Sequence, residues 1–406
     1  MQARPEITPP GTEALQRRLG LGLMTAYGIG IMVGAGIYVL VGAAAGAAGV
    51  WAPVSFLLAG LVAVPSALAF AELSARIPEA AGDSSYVEIG LRQHWLAVVV
   101  GAINIIAGTV ASAAVLRGGV GYLAGVVDLD PVVATVGLGV ALTAIAILGV
   151  VESLSFAAVL TAVEVGGLIL IIWAGFGVAE PVTDWQAPPA PQWSGIAFAA
   201  IFGFFAFIGF DDLVNMAEEA RDPRRTMPAA ILISLAITAL LYALVTMAAV
   251  RSVEVEALGQ SEQPLALVWS TATGTSALLL SVIAVFAALN GVLAQIIMAA
   301  RVLFGLGRRS PTLAIFHHAH PRFGTPVLAS LLIGVAVILS ALALPVAELA
   351  EITTLALLIV FSIVNAALIG VKRQGPWDGF AAPVWVPWLG IAACLSCFSA
   401  AIWGSA

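Results

Sequence analysis

Apolar residues run for about twenty positions at a time along this chain, almost from end to end, and clusters of charged residues and helix breakers separate the runs. A hydrocarbon core about 30 Å thick takes roughly 20 apolar residues per helix, so each run has the length of a membrane-crossing helix. The pattern predicts an all-α integral membrane protein with about eleven spans, near 21–42, 52–75, 95–124, 132–151, 155–178, 194–219, 228–250, 273–306, 326–344, 347–370 and 382–403.

Two spans carry glycine-dense stretches: Gly28-Ile29-Gly30-Ile31-Met32-Val33-Gly34-Ala35-Gly36 in the first, and Phe202-Gly203-Phe204-Phe205-Ala206-Phe207-Ile208-Gly209-Phe210-Asp211-Asp212 in the sixth. Glycine inside a span means either close helix packing or deliberate unwinding, because a lipid-facing backbone otherwise keeps its hydrogen bonds internal. Interruptions at corresponding places in two halves of a chain point to an inverted-repeat transporter. There, half-helix amino ends face an anionic group and freed carbonyls face a cationic one. An amino acid zwitterion carries both.

Composition narrows the class. Of 406 residues, 61% are hydrophobic and 10% charged, and the mean hydropathy is +1.07, which excludes large soluble domains. Basic residues sort to one side. With the amino terminus inside, Arg76, Arg92, Arg221, Arg224, Arg225, Arg308, Arg309, Arg322, Lys372 and Arg373 are cytoplasmic together with Arg4, Arg17 and Arg18 of the polar tail 1–20, and Arg251 alone falls outside. An odd number of spans then puts the carboxyl terminus outside. The tail lacks the apolar core of a signal peptide, and the net charge of −7 is no nucleic-acid footprint. No cofactor or metal site is expected: Cys394 and Cys397 are too few for a zinc site, and His317, His318 and His320 have no carboxylate or cysteine nearby. No phosphate-binding Gly-Lys-Ser/Thr loop is present to couple ATP directly.

The run from Gly28 to Gly42 resembles the first helix of permeases of the amino acid/polyamine/organocation superfamily, and Phe204 to Asp211 resembles the sixth helix of their cationic-amino-acid-transporter branch. Glu218-Glu219-Ala220-Arg221-Asp222-Pro223, ending at Pro228, is similar to the block that leads into the family's seventh helix. Glu72-Leu73, Pro78-Glu79-Ala80, Arg301-Val302-Leu303-Phe304 and His320-Pro321-Arg322 extend the likeness over about ten spans. The resemblance implies a five-plus-five inverted-repeat fold with helices 1 and 6 broken. Residues 21–178 and 194–370 would form the two repeats, and 371–406 a cytoplasmic loop plus an eleventh helix. It also implies a rocking bundle of spans 1, 2, 6 and 7 against a scaffold of spans 3, 4, 8 and 9. By motif position, Met32, Gly34, Ala35 and Gly36 would offer backbone groups to the substrate, and Phe205, Ala206 and Ile208 would offer carbonyls to its amine. The rings of Phe207 and Phe210 would border the pocket or gate it. The chain departs from the family at Glu164, where many bacterial relatives carry a lysine, and at Ala81-Gly82-Asp83-Ser84, where a Gly-Gly pair is usual.

Ionisable groups at membrane depth are costly and are functional candidates by default. Glu164 is the first such candidate for proton coupling, against a role as a permanent structural partner. Asp211 and Asp212 after the sixth-span break, with Asn104 and Asn290 on the scaffold, are further coupling or cavity candidates. The expected function is secondary transport of L-amino acids across the cytoplasmic membrane, coupled to protons or by exchange. The alternatives are a carrier of cationic amino acids or polyamines and, from another class, a receptor or an intramembrane enzyme. An enzyme would need a nucleophile with a base inside the spans, and none is visible.

Overall fold

The computed structural model describes residues 19–404, apart from 35, 79–81, 150–153, 183–184, 186 and 310. The described residues are helical throughout, apart from connecting turns and loops. The first span is divided into α1 (Leu21–Val33) and α2 (Gly36–Ala48), and α3 (Ala52–Arg76) forms the second. After the short α4 (Gly82–Leu91) come α5 (His94–Ala124), α6 (Pro131–Leu148) and α7 (Leu154–Trp173), the last extended by one π turn to Val178. The sixth span is α8 (Trp193–Phe207), a break, and a 3-10 segment, Asp212–Glu219. The seventh is α9 (Pro223–Ser252). Two short helices, α10 (Val255–Gln260) and α11 (Pro264–Thr273), precede α12 (Leu278–Arg309), α13 (Val327–Ala343), α14 (Val346–Lys372) and α15 (Val386–Gly404).

Eight helical stretches among the described residues are long and apolar enough to cross a membrane, and α1, α13 and α15 are shorter apolar helices. All eleven expected spans have a helical counterpart. The first span runs on to Ala48, past its expected end near 42, and the eighth, expected to begin near 273, starts later. Gly274 adopts φ +65° and closes α11 instead, so the span begins at Leu278.

Packing divides the helices into two groups. Helix α3 lies against α8 and α9, α2 against α8, and α1 against α9. Helix α5 lies against α12, α14 and α13, and α6 against α13. Spans 1, 2, 6 and 7 thus cohere, and spans 3, 4, 8 and 9 form the other body. Small residues permit the closest approaches: a Cβ added to Gly90 of α4 would lie 2.9 Å from the Ala367 Cα of α14. Arg117 spans the second group, donating from Nη1 to the Ala341 carbonyl of α13 at 2.8 Å, which makes it a tie between helices.

Two features brace the arginine-rich end. Leu19, just before α1, makes a parallel bridge with Ala220: Leu19 N donates to Glu219 O at 3.0 Å and Arg221 N donates to Leu19 O at 2.9 Å. The fully buried Glu72 receives Arg76 and Lys372, each at 2.6 Å, and the Ala382 main-chain N–H at 2.8 Å. The second arrangement fastens the loop after α14 to the end of α3.

Candidate functional site

Both glycine-rich stretches are real interruptions. Helix α1 stops at Val33 and Gly34 donates back to Gly30 O at 2.9 Å, while α2 starts at Gly36; Ala35 lies outside the described residues. In the sixth span α8 stops at Phe207, Ile208 is extended, and Gly209 takes φ +127°, a region that favours glycine. The two breaks face each other. A Cβ on Gly36 would lie 2.8 Å from the Ala206 Cα, and one on Gly209 would lie 3.2 Å from the Ile31 carbonyl carbon.

Tyr242 of α9 joins them. Its hydroxyl lies 2.6 Å from Met32 O and 2.8 Å from Ala206 O, one proton shared between two carbonyls freed by the two breaks. Sequence reasoning missed it; the signal was a lone tyrosine within an aliphatic run. Phe207 packs its ring on Tyr242, centroids 5.1 Å apart, and Phe210 packs among Phe70 and Phe361. Phe205 is buried in the same core. Glu164 is buried on α7 beside this crossing: its carbonyl accepts the Tyr38 hydroxyl at 2.6 Å, and Thr161, one turn away, packs against Gly30.

A second polar region adjoins the sixth-span break. A cavity of about 70 Å³ is lined by Ile208, Asp211, Asp212 and Asn215, by Asp83 and Ser84 of α4, by Asn104 and Gly108 of α5, by Gln295 and Met298 of α12, and by Thr353 and Leu357 of α14. It brings together Asp211, Asp212, Asn104 and Ile208 but not Glu164; Asn290, half-buried on α12, is not in the lining. Asp211 Oδ1 accepts the Gly209 N–H at 2.9 Å, which stabilises the break itself. Asp212 Oδ2 accepts from Gln295 Nε2 at 2.9 Å, and Asp83 Oδ2 accepts from Asn104 Nδ2 at 2.7 Å. Among the described residues no basic side chain forms an ion pair with these three carboxyls. Burial pushes the Asp83 carboxyl up to about 7; the charge of Asp211 adds to the rise and the Asn104 hydrogen bond opposes it. Asp83 was not among the expected site residues, although its place in a segment usually Gly-Gly marked it as unusual.

The residues around both breaks and along the whole membrane body fall within one match: residues 19–405 fit the family described as amino acid permease. The chain belongs to the amino acid permease family. This permease is 29% identical over 351 residues to the mitochondrial cationic amino acid transporter 3 of Arabidopsis thaliana, covering 80% of the permease and 57% of that relative. It is 27% identical to the branched-chain amino acid permease of Bacillus subtilis, over 90% of the permease and 83% of the relative. It is also 27% identical to the methylthioribose transporter of the same organism, over 80% and 74%. The permease therefore spans a little over half the length of the plant relative and most of the bacterial ones. These relatives are named as transporters or permeases, and the chain is a membrane-spanning member of the same family.

Proposed function

We propose that this permease carries L-amino acids across a cell membrane by alternating access, with the two broken spans holding the substrate's charged groups. The observation that carries the reading is the convergence of the Met32 and Ala206 carbonyls on one hydroxyl. A substrate ammonium has three N–H donors where Tyr242 has one, so it satisfies both carbonyls and still has a donor left. Met32, Gly34, Gly36, Ala206 and Ile208 contribute through backbone, and Phe205, Phe207 and Phe210 limit substrate size. In this reading the repeats are 21–178 and 194–370, and the amino terminus is cytoplasmic and the carboxyl terminus outside, in the inner membrane.

Protons are the proposed coupling ion. The carboxyls of Asp211, Asp212 and Asp83 share a small cavity without cations, an arrangement that favours one of them holding a proton. Glu164 is a second, separate candidate. A cationic amino acid or amine as substrate is the competing reading, favoured by the same carboxyl cluster.

Proteoliposome uptake of a labelled amino-acid panel, with and without an inward proton gradient, tests both readings. Gradient-driven accumulation of neutral amino acids should vanish in Asp211→Asn or Glu164→Gln while exchange survives. Arginine or putrescine uptake outcompeting leucine and alanine would select the competing reading, and no uptake of any panel member would sink both.

A further inference from the structure

A groove of about 610 Å³ opens at the arginine-rich end, between the first turns of α9 and the loop from α14 to α15. Its two ends differ in chemistry. At the mouth stand Arg224 and Arg225, their side chains 58% and 91% exposed. Below them the floor is Ala229 and Leu232, one and two turns further along α9, and Phe380 forms the facing wall. The same helix then presents Ile233, Ile237 and Leu240 outward, exposed apolar residues within a membrane span, so the groove's apolar end opens onto acyl chains.

The facing wall is held in place. Trp377 Nε1 donates to Phe380 O at 3.1 Å, and Lys372 Nζ to Ala382 O at 2.7 Å. The Trp377 ring lies under the guanidinium groups of both Arg76 and Arg224, at 5.4 and 4.7 Å, and tryptophan beside arginine marks the membrane–water boundary. The present partners of the two arginines are weak. Arg224 meets Asp378 at 3.4 Å and Arg225 meets Asp222 at 3.9 Å, with all four side chains more than half exposed. A phosphate diester offers both guanidinium groups shorter, charge-assisted hydrogen bonds than these contacts do.

We propose that this groove binds an anionic phospholipid, its headgroup phosphate between Arg224 and Arg225 and one acyl chain along Ala229 and Leu232 against Phe380. An anionic headgroup is selected because a choline cation would be repelled by the same arginines. The inference stands apart from the substrate and coupling readings and needs only that α9 crosses a bilayer.

The test is native mass spectrometry of the full chain in neutral detergent, with added phosphatidylglycerol, phosphatidylcholine or inorganic phosphate. Phosphatidylglycerol should be retained over phosphatidylcholine by on the order of fivefold per arginine engaged. Arg224→Gln/Arg225→Gln should reduce that preference to none, and Leu232→Trp, which fills the apolar lane, should reduce retention of the lipid with both arginines intact. Equal retention of the two lipids would overturn the proposal, as would a preference that persists in the double variant. Suppression of lipid binding by millimolar inorganic phosphate would also overturn it, assigning the arginines to a free anion.

Discussion

The crossing of the broken spans and the carboxyl cavity lie only a few residues apart on the sixth span, yet they treat buried polarity in opposite ways. At the crossing, carbonyls stripped of helical partners are satisfied by a neutral hydroxyl from α9, within one packing group. In the cavity, three carboxyls meet only neutral donors: Asp211 the backbone of the break, Asp83 the Asn104 amide of the neighbouring α5, and Asp212 the Gln295 amide, which comes from the other group. The first arrangement resembles a completed joint. The second is under-neutralised, and through Asp212 and Gln295 it spans the surface along which the two bodies would part in the proposed rocking. On the proposed function, recognition belongs to the crossing, and sensitivity to protons and to rocking belongs to the cavity.

The sharpest way to break this division is to force the crossing open. Gly36→Ala would set a methyl 2.8 Å from the Ala206 Cα, backbone that cannot rotate away. A loss of about 1–3 kcal/mol of stability and near-complete loss of uptake are expected, measurable by thermal melting and proteoliposome assay. Tyr242→Phe is milder. It leaves two buried carbonyls without their donor, costing about 1–3 kcal/mol, and the substrate should then raise the melting temperature more than it does in the native chain. An unchanged ligand-induced shift would mean that substrate and hydroxyl do not share those carbonyls.

Asp83→Asn addresses the cavity. Burial raises this carboxyl from 3.8 to about 7, so the folded state holds its proton more tightly than the unfolded chain does. The stabilisation from this one proton is therefore full below about pH 4 and is lost as pH rises to about 7. The variant should lose that slope, seen as melting temperatures that vary less between pH 5 and 8. Asp378→Asn, at an exposed ion pair 3.4 Å long, should change stability by less than about 1 kcal/mol and leave uptake intact.

The spans were legible because length and lack of charge alone define them, and the breaks because glycine accumulates where backbone must leave the helix. Tyr242 was not legible: its role exists only where residues 32, 206 and 242 converge, and on α9 alone it reads as core. Asp83 was hidden for a related reason. It sits on α4, a short helix of mixed polarity without a clear period, and its carboxyl meets Asp211 only because α4 is pressed against α14 through Gly90. Glu164 and Asp211 looked alike in sequence as acids within spans. The fold separates them, one beside the tyrosines of the crossing and one in the cavity.

The bridge between Leu19 and Ala220 has a mechanical meaning. Its two bonds are main chain to main chain, so side-chain replacement at either residue leaves them in place, and a proline at position 19 would delete one of the pair. With α1 sewn at its entrance to the segment just before α9, this half of the first span is not a free lever. Tilting it alone would tear the stitch, whereas turning it together with α9 leaves the stitch whole, which favours the quartet of helices swinging as one piece.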